Sequence, residues 1–145
     1  MKRFIEFALP SHAHVPGFGS TPDLAPLEKA KTVAPATTLA GEWRTNKAYL
    51  YGHDLMQAGF YWEAHEVWEV VWLAAPANSP ERVLLQALIQ TANAQLKTRM
   101  GRHNAASRLE KQVEDLKLDL VARVQKATDP FMGVDLITLN MHYNA

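Results

Sequence analysis

The stretch Gly59-Phe60-Tyr61-Trp62-Glu63-Ala64-His65-Glu66-Val67-Trp68-Glu69-Val70-Val71-Trp72 holds three of the chain's four tryptophans, three glutamates and a histidine within one helical length. Helices that only fill a core use Leu, Ile, Val and Ala, whose rotamers fit easily and carry no polar atoms. Trp, His and Glu instead require a partner for each indole N–H, imidazole and carboxylate. This segment is therefore either a polar network that holds a core in one arrangement, or a site.

A helical residue advances about 100° around the axis. Phe60, Tyr61, Ala64, Val67, Trp68, Val71 and Trp72 then fill an apolar arc wider than a surface helix needs. The helix is expected to be central, or covered on a second side by the arm or another subunit. Glu63 and Glu66 are read on the opposite, solvated side, and they join a site only if a second subunit covers it. His65 and Glu69 stand at the edge of the arc, four residues apart and so facing one another, with Trp68 and Trp72 flanking them. Three chemistries suit such a pair. Glu69 and His65 can form a hydrogen-bonded staple beside the core. They can be two ligands of one divalent metal. Or Glu69 can orient His65 as a general base.

The zinc-protease helix is a different pattern, because His65-Glu66-x-x-Glu69 has Glu where that motif has its second His. A mononuclear catalytic zinc also takes three protein ligands. Candidates for the third are His53 or Asp54 on the preceding helix, Gln86 or Gln90 on the next, and His12, His14 or His103 in loops; no spacing singles one out. The Gln86, Gln90 and Asn93 ridge reads as an exposed polar face, with an amide-lined cavity wall as the sharper alternative.

Outward from this segment, Gly59 separates it from a helix expected over 42–58, and Pro76 ends it near 74. Asn78-Ser79-Pro80-Glu81 is a helix start for 81–100, with Asn or Ser as cap and Pro tolerated in the first turn. Gly101 closes that helix. A fourth, over 104–126, carries the stripe Leu109, Val113, Leu116, Leu120 and Val124, and Asp129-Pro130 stops it. Residues 1–40 hold five of the eight prolines and read as an extended arm with a short helical turn near 24–31. Its Phe4, Ile5, Phe7 and Leu9 are too apolar for a free leader, so the arm should lie against the body. Residues 129–145 form a docked tail, strand-like or a single turn. The expected fold is all-α, one domain: an up-and-down bundle of three to four main helices over 41–128 with an extended N-terminal arm.

With 145 residues, 48% of them hydrophobic, the chain supports one core. Its formal net charge of zero gives no electrostatic footprint for nucleic acid or acidic membranes. The absence of cysteine removes disulfides, thiolate nucleophiles and Cys-based metal sites. Glu6 and Pro10 interrupt the N-terminal apolar run before it reaches the length of a signal peptide core, and no run approaches a membrane span. A cytoplasmic, soluble protein is expected. Nucleophile elbows, phosphate loops and dinucleotide fingerprints are missing.

The motif His65-x-x-x-Glu69-x-x-Trp72 resembles the signature of the bacterial and archaeal domain of unknown function 309 family. The residues before it, Gly59-Phe60-Tyr61-Trp62-Glu63-Ala64-His65-Glu66, and after it, Leu85-Gln86-Ala87-Leu88-Ile89-Gln90, are similar to that family too. So is the opening from Leu9-Pro10 to Val15-Pro16-Gly17, and the likeness is strongest over 49–109. The resemblance implies an all-helical bundle with no established activity, and a suggested metal-binding role that would fall on His65 and Glu69 with Trp72 as aromatic companion. Ala87 stands where many members have Gly, many have another Gly near the position of Ala105, and many have His near that of Lys97. A lysine is no ligand at neutral pH, which argues against drawing a metal ligand from that helix.

Two functional expectations follow. In the first, His65 and Glu69 lie in a cluster with Trp62, Trp68, Trp72, Glu66, Gln86 and Gln90 that shapes a core, a pocket or a contact with a second copy or a protein partner. In the second, His65 and Glu69 bind zinc, manganese or iron in a hydrolase-like enzyme. Neither names a substrate.

Overall fold

A computed structural model describes residues 2–124 and 130–141, and the architecture is all-α. The arm contains one regular element, α1, Ala25–Thr32, which starts with Pro26 in its first turn and buries Leu27 and Ala30. A 3-10 segment, Ala40–Thr45, follows. The helix expected over 42–58 is in fact divided at Asn46. That residue is extended (φ −81°, ψ 93°), and its side chain accepts the Tyr49 N–H at 3.1 Å to cap α2, Lys47–Gln57. An Asn side chain that satisfies a free helical N–H competes well against continuing the previous turn.

Gly59, with φ +85°, turns the chain into α3, Tyr61–Leu73. Ser79 accepts the Arg82 N–H at 3.2 Å and Pro80 fills the first turn, so α4 spans Pro80–Arg99 as the start signal indicated. The last helix, α5, is His103–Val124. It buries Ala106, Val113 and Leu120 and half-buries Leu109, Leu116 and Val124, which is the stripe read from the sequence. The stop expected at Asp129 lies outside the described residues, as does the tail beyond 141.

Consecutive helices pack against one another, α2 on α3, α3 on α4 and α4 on α5, while α1 lies on α2 and α3. The dense helix α3 is thus central, in keeping with its wide apolar arc. Residues 131–141 fold on themselves through isolated bridges from Val134 to Phe131 and Met141, and they dock on α2 where Tyr49 Oη donates to the Met132 carbonyl at 2.8 Å. Among the described residues no helix is long and apolar enough to cross a membrane.

The arm does lie against the body, and polar bonds hold it as firmly as apolar ones. The Asp54 carboxylate, fully buried, accepts the N–H of Phe4 at 2.7 Å and of Ile5 at 3.0 Å, and Arg3 Nε lies 3.1 Å from it. Tyr51 Oη donates to the Ala8 carbonyl at 2.6 Å, and Glu63 accepts the His14 N–H at 2.8 Å. Arm residues thereby pair backbone groups with side chains of α2 and α3 that would otherwise be buried unsatisfied.

The tightest approach in the core is α2 on α3. Gly52 faces the indole of Trp68, and a Cβ at position 52 would overlap Trp68 Nε1. That nitrogen donates to the Tyr49 carbonyl at 3.1 Å. Gly52→Ala therefore forces the helices apart or turns the indole out of its bond, at a cost of about 2–4 kcal/mol. Gly41→Ala, where nothing lies within 4 Å, should change stability by less than about 0.5 kcal/mol. Urea denaturation of the two variants checks this pair; equal midpoints would refute the close-packing account. Asp54→Ala should cost about 2–3 kcal/mol and speed amide hydrogen exchange at Phe4 and Ile5. Unchanged exchange there would show that the carboxylate does not hold the arm.

Candidate functional site

Helix α3 presents different chemistry to each of its neighbours. Ala64, Val67, Trp68 and Val71 are buried against the other helices. His65, Glu66 and Glu69 lie on a half-exposed face. The wheel explains this division: Glu66 and Glu69 are three apart and so about 60° from one another, on the same side as His65.

His65 Nδ1 lies 3.1 Å from the Trp62 carbonyl, and Nε2 lies 2.9 Å from Glu69 Oε1. A carbonyl can only accept, so Nδ1 carries the proton. Nε2 then meets a carboxylate in one of two ways. Protonated, it completes an ion pair; neutral, it directs a lone pair at an anion and is relieved by a cation. Metal-bound imidazoles commonly show this orientation, with one ring N–H on a backbone carbonyl and the other nitrogen left for the ion. One ligand atom each from His65, Glu66 and Glu69 all lie within 4.8 Å of one another. Two ligands at about 2.0–2.1 Å in a tetrahedral site stand roughly 3.3 Å apart, close to the His65–Glu69 spacing. Lys31 of α1 competes for this cluster, with Nζ 3.3 Å from Glu66 Oε2 and 3.6 Å from Glu28 Oε1.

Several expectations about the surroundings are corrected. The tryptophans do not wall a recess around the pair. Trp68 is buried toward α2, held by Tyr49 and Gly52. The Arg82 guanidinium covers Trp72 at 4.3 Å, and the Trp72 Nε1 is buried with no partner among the described residues. Trp62 is the aromatic neighbour of His65, edge-on at 6.4 Å, and His14 packs on its ring at 4.6 Å. The pair itself is not deeply buried, Glu69 being 47% exposed. Glu63, read as solvated, is fully buried, because the arm crosses it at His14. The signal was present: Glu63 is four residues before buried Val67 and so about 40° from it. Glu66, also read as solvated, is half-buried by its bond to Lys31.

The proposed third ligands scatter. His53 and Asp54 are buried, His53 against Phe4, Tyr49 and Trp68 and Asp54 against the arm. His12 bonds the Ser20 carbonyl at 2.9 Å, and His103 is exposed at the start of α5. Gln86 is exposed, and Gln90 bonds Gln112 of α5 at 3.2 Å and Asn93 at 3.2 Å. The amide ridge is thus an exposed polar face at Gln86, and Gln90 alone of the three ties it to α5.

Two buried titratable groups are shifted in opposite senses for stability. Burial lowers the His53 pKa from 6.5 to about 3, so the ring is neutral in the folded protein. Burial pushes the Glu63 carboxyl above its ordinary 4.5, against the smaller opposing effects of the His14 N–H, the Glu63 N–H, and the nearby His14 and His12. The contribution of Glu63 is present at low pH and lost as pH rises through its raised value. For His53 the unfolded chain binds the proton first. Its contribution is complete above pH 6.5 and lost as pH falls toward 3, with a slope up to about 1.4 kcal/mol per pH unit. His53→Gln should flatten that slope between pH 6 and 4 in urea titrations, whatever it does to absolute stability. A variant with the wild-type slope would remove His53 as the cause.

No curated protein and no solved structure matches the chain significantly. Residues 49–109, which carry most of α2, all of α3 and α4 and the start of α5, match the family model described as Domain of unknown function (DUF309).

Proposed function

We propose that this domain binds a divalent cation on α3, through His65 Nε2 and the carboxylates of Glu69 and Glu66. The observation that carries the reading is the bond from His65 Nδ1–H to the Trp62 carbonyl, which turns Nε2 toward Glu69. An imidazole with two carboxylates suits zinc, manganese or iron, and three protein groups leave positions open for water or a substrate oxygen. The role proposed is binding; a hydrolytic role would use one of those open positions.

A second reading is favoured by Lys31. Its ammonium already bridges Glu66 and Glu28, so the same cluster can act as a polar lock that fastens α1 to α3. The lock predicts that His65→Ala and Lys31→Met both lower the melting temperature, with no response to added metal.

The cation reading predicts a stoichiometric heat of zinc or manganese binding by calorimetry, in protein purified without an affinity tag. At a hundredfold excess over Kd the ion should add about 2.7 kcal/mol of stability. His65→Ala and Glu69→Gln should abolish that gain, whereas Lys31→Met should tighten binding severalfold by freeing Glu66. No heat of binding and no melting shift with either ion would leave the lock as the reading.

A further inference from the structure

A second feature lies on the other side of α3. A cleft of about 320 Å³ opens between α2, α4, the arm and the 138–141 segment. Its floor is buried and largely apolar: His53, Trp68, Leu88 and Leu139, with half-buried Phe4, Met56 and Met141 beside them. The mouth is polar and exposed, formed by Gln57, Gln95, Thr138 and Asn140, with Thr91 and Tyr61 between floor and mouth. A concave site with an apolar body and a few polar groups is the usual form of a small-molecule pocket, and this volume is at the lower end of the range for one.

Two independent observations restrict what fits. Among the described residues that line the cleft, none carries a formal charge: it has no Asp, Glu, Lys or Arg. A charged ligand group would therefore lose its hydration without an ionic partner, at a penalty of several kcal/mol. The second observation is His53. It is 5% exposed, lines the cleft, and its Nε2 is buried with no partner among the described residues. A buried unsatisfied ring nitrogen is unfavourable, so a ligand that brings a hydroxyl or amide to this imidazole recovers that loss. The ring is neutral in the folded protein and offers one donor and one acceptor. Phe4, Tyr61 and Trp68 add aromatic carbon to the lining, which suits a flat partner.

We infer that this cleft is a binding site for an uncharged aromatic molecule bearing an amide or hydroxyl group, with the His53 imidazole as its buried polar contact. The site is independent of the α3 cation cluster, since His65, Glu66 and Glu69 do not line it. A cleft of this size takes a molecule of about ten to fifteen non-hydrogen atoms.

The test is a titration of the isotope-labelled full chain, followed by NMR, with three probes of one shape: benzamide, benzoate and benzamidinium. Benzamide should shift the His53 ring and Leu88 methyl resonances saturably, and at least tenfold more tightly than either charged probe. Thr91→Trp fills the cleft from its wall and should weaken benzamide at least tenfold. Gln95→Trp, at the exposed mouth, serves the same purpose should the first variant fail to fold. The inference is overturned if benzamide gives no saturable shift, if the charged probes bind equally well, or if binding survives in the folded blocking variant.

Discussion

The contact of the Trp68 indole with Gly52 governs how this molecule is put together. A large flat ring on α3 can lie against the backbone of α2 only where α2 has no side chain, and Gly52 is that place. The indole N–H then reaches the Tyr49 carbonyl, giving a buried donor its partner without breaking the helix. Both helices are thereby held in one relative position. His53, next to Gly52, is caught edge-on between Tyr49 at 4.7 Å and Trp68 at 4.9 Å, which is why its ring is dry and uncharged. The polar atoms that look expensive in the sequence are the ones that specify this packing, in contrast to an all-aliphatic seam that could slide.

How much of this was legible in the sequence depends on the range of the interaction. Local rules located α3, α4 and α5 within a residue or two at most ends, because Gly59, Ser79-Pro80 and the stripe Leu109, Val113, Leu116, Leu120 and Val124 act within a turn or over one helix face. The i,i+4 relation of His65 and Glu69 was legible for the same reason, as helix geometry alone brings those groups to 2.9 Å. Asn46 was missed as a break since the residues either side of it, from Glu42 to Ala58, read as a continuous helical pattern. Its preference for capping outweighed that pattern.

What the sequence hid was long-range. Glu63 and Asp54 are buried because arm residues some fifty positions away bring backbone N–H groups to them. A backbone donor has no sequence signature, so no spacing rule can forecast that partner. The same holds for the tryptophans: periodicity placed Trp68 and Trp72 beside His65, but the side each ring turns to was decided by Gly52 and by Arg82 on other helices. A wheel gives the direction of the Cα–Cβ bond, and a side chain as long as Trp covers surface well away from it.

The two regions of interest on α3 share a helix without sharing a mechanism. Trp68, part of the cleft floor, is three residues from His65, which invites the thought that an occupant of one region is sensed in the other. Coupling between sites requires an element with two discrete arrangements that both sites bias. Trp68 has one: its nitrogen is bonded to Tyr49, its ring is seated on Gly52, and it is 1% exposed. Glu69 and Glu66, by contrast, reach toward solvent and α1, where Lys31 is the only cation the described residues bring to Glu66. A buried floor on one side and a half-exposed ionic face on the other share no contact that an occupant of either would move. A cation on α3 would therefore reorganise Lys31 and α1, leaving the cleft as it is.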